Sequence, residues 1–419
     1  MLYDLGIGLY GAGLRLASRF DEKAAAWVEG RRGWRARLLG QSPPAGPRVW
    51  FHCASLGEFE QGRPLLEAIR ARHPGVRILL TFYSPSGYRV RKDYAQADWV
   101  GYLPLDTAAN ARYFLRWASP SLAVFVKYEL WPNHLAELAR QGVPTVLVAG
   151  LFREGHWVFR PWGRRGLELL RGLDRVFVQD RASLARLKSA YVDRCSYAPD
   201  TRFDRVWQVA GSAQAPSSSS GKLSAFDTGQ PIVVAGSTWP EDEAMLARHF
   251  HRHGQGRKLV VAPHELGEGR LEALMELFAG QGVARYTRAG HEELAEARVL
   301  LLDTMGQLAW AYGYARVAYV GGGFGKAVHN VLEPAAHGVP VLFGPRHEKF
   351  AEAKGLLLAE GGQTADSPEE LSAKLERLLA EPGLRQTLAE NARRFVEKNT
   401  GGTQAILEHL EAHLGAFDN

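Results

Sequence analysis

Short apolar runs alternate with amphipathic stretches along most of the chain, and they fall into two series. Val49 to His52, Ile78 to Tyr83, Leu122 to Val126, Thr145 to Ala149 and Arg175 to Gln179 form the first. Hydrophobicity that is continuous rather than alternating predicts strands buried on both faces, as in a parallel sheet covered by helices. Ile232 to Ala235, Leu259 to Ala262, Val299 to Leu302, Val317 to Val320 and Val341 to Phe343 repeat the pattern. Two βαβ blocks predict two Rossmann-like, doubly wound α/β domains, and such sheets take ligands at the carboxyl ends of their strands. Between the series, Gly211 to Gly221 is small and polar and reads as a linker. The expected division is a helical segment 1–40, a first Rossmann-like domain 41–210, a linker 211–230 and a second Rossmann-like domain 231–419, the last helix packing back on the first domain. The active site is expected in a cleft that the two domains face.

The N-terminal segment Leu2 to Phe20 is apolar but interrupted by Asp4, Arg15 and Arg19. That is too broken for a membrane span and fits a helix lying at an interface. Leu2, Leu5, Leu9, Leu14 and Leu16, with Trp27 and Trp34, supply apolar and interface-seeking groups, and Arg31, Arg32, Arg35 and Arg37 suit an anionic leaflet. The same pattern also fits a helix packed on its own domain. Gly6 to Gly11 matches GxGxxG, but only five residues precede it, so no strand delivers the loop to a phosphate.

Composition narrows the class. At 419 residues the chain suits two domains, and 46% hydrophobic with 23% charged residues describes a globular protein. A net charge of +6 favours an anionic partner without choosing among nucleic acid, lipid head groups and a phosphorylated substrate. No nucleic-acid-binding motif is present. Cys53 and Cys195 are the only cysteines, which predicts a reducing cytosolic compartment and argues against a structural zinc site.

Residues 317 to 348, VAYVGGGFGKAVHNVLEPAAHGVPVLFGPRHE, carry the densest chemistry. An apolar strand feeds Gly321, Gly322 and Gly323, whose N–H groups can approach an anion with no Cβ in the way. Asn330 is expected to open a helix carrying Glu333, a carboxylate able to accept from two vicinal ribose hydroxyls. The plainer alternative is a structural turn. In the first domain, Glu58 of HCASLGE follows a strand directly and is a candidate general base, since glycosyl transfer to an alcohol needs a group to take the acceptor proton. A helix N-terminus would lower its pKa and weaken it as a base unless burial offsets the effect. Lys127 and Glu129 of KYELWPN follow another strand, where Glu129 can orient Glu58 or the acceptor and Lys127 can meet a phosphate.

HCASLGEFEQGRP, TFYSPSGY, VKYELWPN, DTRFDRV, AGSTWPEDE, APHE and LLDTMGQLAWAYGYARVAYVGGGFGKAVHNVLEPAAHGVPVLFGP occur in this order. With them the chain resembles the 3-deoxy-D-manno-octulosonate (Kdo) transferases over nearly its whole length beyond the N-terminal helix. The resemblance implies a GT-B fold and inverting transfer from CMP-Kdo to a lipid A precursor (lipid IVA). It also implies no metal or cofactor, and attachment to the cytoplasmic face of a Gram-negative inner membrane, peripheral or anchored by the N-terminal helix. The family's base falls on Glu58 and its second acidic residue on Glu129. The donor site falls on Ser237 and Thr238, on Asp303, Thr304, Met305 and Gly306, on Gly322 and Gly323, and on Asn330 and Glu333.

Two departures bear on the site. Many members carry Pro-Arg-His where this chain has Pro263-His264-Glu265, so the cation aimed at the donor phosphate is missing, with His264, Lys326 and Arg346 as substitutes. Pro199 stands where glycine commonly precedes the Asp200 to Asp204 motif. Arg160, Arg164 and Arg165, interleaved with Phe159, Pro161 and Trp162, form a basic aromatic patch suited to the phosphates and acyl border of a lipid acceptor. The rival readings are another GT-B enzyme using a UDP-sugar, a sugar-nucleotide epimerase, and an inactive binder of anionic lipid.

Overall fold

The computed structural model describes residues 2–212 and 217–415. It divides into two compact units, Met1–Asp204 with Thr400–Asn419, and Arg205–Asn399. The first holds a seven-stranded sheet of β1 (Arg48–Cys53), β2 (Arg77–Phe82), β3 (Trp99–Tyr102), β4 (Leu122–Val126), β5 (Thr145–Gly150), β6 (Arg175–Val178) and β7 (Cys195–Tyr197). The order is β3-β2-β1-β4-β5-β6-β7 and every pairing is parallel. Both faces are covered: Val49, Phe51 and Cys53 of β1 enter one core cluster and Trp50 the other.

The second unit repeats the plan with β8 (Ile232–Thr238), β9 (Lys258–Pro263), β10 (Val283–Arg285), β11 (Val299–Leu301), β12 (Val317–Val320), β13 (Val341–Phe343) and β14 (Gly362–Thr364). Its order is β10-β11-β9-β8-β12-β13-β14, again parallel. Strand order reverses between β1 and β4 in one unit and between β8 and β12 in the other. At such a reversal the connections leave in opposite directions and a crevice opens at the carboxyl ends. Strands β3, β7, β10 and β14, absent from the sequence reading, are the outermost strands of the two sheets, each of three or four residues.

The N-terminal forty residues form three helices, Leu2–Ala17, Glu22–Arg31 and Trp34–Leu39. The GxGxxG match lies inside the first, and a Cβ at Gly11 would come within 2.7 Å of Leu105 Cδ1, so that glycine serves helix packing. Two residues expected at a membrane surface are instead inside. Trp27 is buried, and the Arg31 guanidinium lies 3.9 Å from its ring centroid while donating to Leu103 O at 2.9 Å and Tyr83 O at 2.8 Å. Leu5, Leu9, Leu16 and Phe20 are exposed. No described helix is long and apolar enough to cross a membrane.

The polar run read as a linker is partly helical. Thr201–Gly211 extends into it, and Ser217–Phe226 forms a helix whose Leu223 and Phe226 are buried in the second unit's core. Residues 213–216 lie outside the described residues.

Helix Gly402–Leu414 completes the first unit by packing against helix Leu56–Arg72 and burying Ile406, Leu407, Leu410 and Leu414 in the core cluster that the sheet and that helix share. Its N-terminus lacks a local side-chain cap, and Asp204 supplies one, accepting from Gly401 N at 2.5 Å and Thr403 N at 2.7 Å. Asp204→Ala should therefore cost about 1 kcal/mol, the usual price of a lost N-cap. Urea unfolding checks this, and an unshifted midpoint would show that the helix does not need the cap.

Candidate active site

In the first unit the switch-point strands deliver three charged groups. Helix Leu56–Arg72 starts directly after β1 with Ser55 as N-cap, so Glu58 lies in its first turn rather than in a loop before it. One carboxylate oxygen, Oε2, accepts from Ala54 N at 2.5 Å, and Ser55 Oγ accepts from Glu58 N at 3.4 Å. Burial and the neighbouring Glu129 charge push the Glu58 carboxyl up to about 7, against the opposing pull of the Ala54 N–H and of Lys127. Desolvation and like charge outweigh the helix end, which leaves a carboxyl poised to exchange a proton near neutrality.

Lys127 and Glu129 follow β4. Lys127 has φ +66, an uncommon conformation for a side chain of its size, and Lys127 N donates to Val148 O at 2.8 Å. Glu129 accepts from Trp131 Nε1 at 2.7 Å and lies 3.4 Å from His52 Nε2. His52 is fully buried, and burial holds its pKa below the usual imidazole range although the contact with Glu129 opposes this. Its other nitrogen lies 2.9 Å from Thr81 Oγ1, which accepts from Trp50 Nε1 at 2.8 Å. A buried polar chain thus fixes Glu129 from behind. The sequence reading missed His52, although it stands in the same HCASLGE stretch as Glu58.

In the second unit, Ser237, one residue before the end of β8, has φ +54, where the pairing register with β9 shifts between Gly236 and Thr238. Such a bulge re-aims the side chains at a strand end. Thr238 is buried and its hydroxyl donates to Glu243 at 2.9 Å, so it is committed internally and does not reach for a phosphate. Glu243 also pairs with Arg270.

The glycine loop after β12 differs from the expectation in its chemistry. Gly321 N donates to Gly236 O at 2.9 Å and Gly322 N to Asp242 Oδ2 at 2.9 Å, so these two N–H groups are used inside the unit. A Cβ would meet Ser237 O at 2.5 Å from Gly321, Ala327 O at 2.2 Å from Gly322 and Gly344 N at 2.6 Å from Gly323. These glycines let backbone pack on backbone. Asp242, which the sequence reading did not single out although it stands in AGSTWPEDE, is the organiser: it also accepts from Trp239 N at 2.9 Å and Tyr319 Oη at 2.5 Å.

Beside this loop stands an aromatic, cationic platform. His264 stacks on Trp239 at 4.7 Å and on His329 at 4.4 Å between centroids, Trp239 Nε1 donates to His329 Nε2 at 2.9 Å, and Lys326 Nζ sits 4.1 Å from the Trp239 ring centroid. Burial holds His264 below its usual range, with Lys326 adding to the effect, and pushes His329 down to about 4. Burial thus disfavours the protonated form of both imidazoles, and Lys326 is the cationic side chain of the platform. Arg346 donates to Gly325 O.

The remaining expected residues divide. Asn330 Nδ2 donates to Glu333 Oε1 at 3.1 Å and its Oδ1 accepts from Leu332 N at 3.1 Å, but the helix it introduces is only Leu332–Ala336. Asp303 accepts from Thr287 N at 2.8 Å, Thr287 Oγ1 at 2.5 Å and Arg285 Nε at 3.0 Å, so it anchors the turn carrying Thr304, Met305 and Gly306 instead of facing a ligand. Met305 is 78% exposed, not a core methionine. That turn follows β11, which β9 separates from β8. In the first unit Arg160, Arg164 and Arg165 are exposed, with Arg164 paired to Glu168 at 3.2 Å and Arg165 5.6 Å from the Tyr3 ring centroid.

The crystal structure of UDP-GlcNAc 2-epimerase from Neisseria meningitidis bound to UDP-GlcNAc matches with a TM-score of 0.61 over 87% of this chain and 99% of that one, at 13% identity. Two parallel-sheet α/β units of this kind make the fold GT-B-like. Residues 30–205 match the family model Glycos_transf_N, 3-deoxy-D-manno-octulosonic-acid transferase (kdotransferase). A 3-deoxy-D-manno-octulosonic acid transferase of Bordetella pertussis is 32% identical over 92% of this chain and 91% of its own length, and one of Chlamydia muridarum is 29% identical over 96% and 94%. The chain belongs to the 3-deoxy-D-manno-octulosonic acid transferase family.

A base must be deprotonated to act, so kcat/KM should rise with pH through about 7 as Glu58 loses its proton. Glu58→Gln keeps the volume and removes the basicity, with an expected loss of roughly 100- to 10,000-fold in kcat. Glu129→Gln removes the like charge and should move the limb to lower pH. Steady-state rates from pH 5.5 to 8.5, about three pH units spanning a carboxyl raised this far, decide the matter: near-normal turnover in Glu58→Gln takes Glu58 out of the mechanism.

Proposed function

We infer that this member of the Kdo transferase family takes CMP-Kdo as donor and a hydroxyl of a lipid A precursor, lipid IVA, as acceptor in lipopolysaccharide assembly. The observation that carries the reading is the Glu58 carboxyl held near neutrality beside Glu129 at the head of β1. In this reading the acceptor hydroxyl gives its proton to Glu58 as its oxygen attacks the anomeric carbon. The bond from that carbon to the phosphate oxygen breaks, CMP leaves with the electron pair, and attack opposite the leaving group inverts the centre. Glu129, braced by His52 and Trp131, keeps Glu58 basic, and Lys127 offers a cation to an acceptor phosphate.

Lys326 on the Trp239–His264–His329 platform is suited to meet charge developing on the leaving phosphate, and Glu333 with Asn330 to hold the ribose hydroxyls. The reading needs no metal. Mass spectrometry of a tetra-acyl disaccharide bisphosphate incubated with CMP-Kdo should show addition of Kdo, whereas turnover of a UDP-sugar and not CMP-Kdo would overturn the donor assignment. Glu333→Ala should weaken CMP binding by roughly 1.5–3 kcal/mol, the range for hydrogen bonds to a charged group, and calorimetry reads it.

Peripheral attachment to an anionic membrane surface fits the N-terminal helix. Leu5, Leu9 and Leu16 are exposed, and the helix is tied down at its start by Tyr3 Oη donating to Asp106 at 2.9 Å and by Asn133 Nδ2 donating to Asp4 at 2.7 Å. The Arg165 guanidinium against Tyr3 brings the Arg160–Arg165 patch to the same end, with Trp162 75% exposed beside it. Replacing Leu5, Leu9 and Leu16 by glutamine should release the protein from vesicles containing anionic lipid in flotation. Undiminished flotation would rule this helix out as the contact. Arg31 is unsuited to such a test because it is buried.

A further inference from the structure

Helix Gly402–Leu414 carries His409 and His413 one turn apart, which puts both rings on one face. That face meets Asp174, the residue before β6, whose Oδ2 lies 2.8 Å from His409 Nε2 and 3.2 Å from His413 Nε2. All three donor atoms are within 4.8 Å of one another, a convergence that no other group of His, Cys, Asp or Glu among the described residues reaches. The three side chains are 25 to 30% exposed, enough to admit an ion and a water. The His409 ring is held edge-on to Phe177, 5.5 Å between centroids, which limits its rotation.

An ion bound at about 2.0–2.1 Å from each donor in tetrahedral geometry spaces the donors by roughly 3.3 Å. The His413 to Asp174 separation of 3.2 Å matches that value, and the 2.8 Å from His409 to Asp174 would open slightly to admit the ion. Two imidazoles and one carboxylate with an open position form a donor set for a divalent late first-row transition ion, with Zn2+ the simplest case. We propose that Asp174, His409 and His413 bind such an ion and that it pins helix Gly402–Leu414 to the sheet of the first unit. The ion joins residue 174 to residues 409 and 413, so it fastens the chain where it rejoins the first unit after the second. Asp174 stands at the amino end of β6, whereas Glu58 and Glu129 follow the carboxyl ends of β1 and β4, so in this parallel sheet the ion lies at the edge away from the acidic pair. Its role is structural.

The test uses the full chain without an affinity tag, stripped with a chelator, dialysed, and titrated with Zn2+ in competition with a chromogenic chelator. One tight equivalent per chain is expected, together with a rise in the thermal midpoint, since an ion bound by the folded state alone stabilises it. Asp174→Asn and the double change His409→Ala, His413→Ala should abolish the tight equivalent and the Zn2+-dependent rise. Circular dichroism reports whether each variant is folded. Should the double variant not fold, His413→Asn alone should still weaken binding by at least about tenfold, the lower end of what losing a supporting group costs a metal site. Absence of a tight equivalent in the parent, or one of equal strength in every folded variant, overturns the proposal and leaves Asp174 as a hydrogen-bond acceptor for two histidines.

Discussion

Each sheet reverses its strand order once, and the chemistry in both units hangs on that reversal. Parallel pairing of β1 with β4 and of β8 with β12 aims two strand ends the same way within each unit. Helices that follow neighbouring strands at this point turn away on opposite faces, leaving the ends of the strands uncovered. Glu58 follows β1, Lys127 and Glu129 follow β4, Ser237 lies one residue from the end of β8 and the glycine loop follows β12. Two of these ends store backbone strain in non-glycine residues, Lys127 and Ser237, which the buried strands on either side can hold in place.

What happens at those ends is decided by competition between desolvation and hydrogen bonding, with opposite tasks for two carboxyls. Glu58 accepts from Ala54 N–H in the turn before its helix, yet burial and Glu129 win, so its proton is exchangeable near neutrality. Asp242 is also raised by burial, but Tyr319, Gly322 and Trp239 saturate it, and it works as a fastener for the loops around it. The difference lies in how many donors each carboxyl has been given. A half-satisfied group retains capacity for substrate, while a fully satisfied one fixes structure.

The inner strands were legible because burial on both faces writes a continuous apolar run, as in Leu122–Val126. All four outer strands escaped because an edge strand needs only one partner and can be as short as Cys195–Tyr197, too brief for a periodicity to register. Glu58 was legible from its place after a strand, but not the balance that sets its proton affinity, since Glu129 lies on another strand end. The glycine loop shows the reverse failure. A run of three glycines signals close approach, and sequence alone does not say whether an anion or another stretch of backbone approaches; here Ser237, Ala327 and Gly344 do. Arg31 was misplaced because the groups that hold it inside, Leu103 O and Tyr83 O, are remote in sequence.

The first unit is interrupted, its chain leaving at Asp204 and resuming at Thr400. Its hydrophobic core is incomplete until Ile406, Leu407, Leu410 and Leu414 arrive. During synthesis, therefore, the second unit has all its strands before the first can close, although the first was made earlier. The place those four side chains fill, beside helix Leu56–Arg72, stays open through translation of nearly half the protein, and a nascent chain in that state shows chaperones an apolar groove where the finished enzyme has a helix.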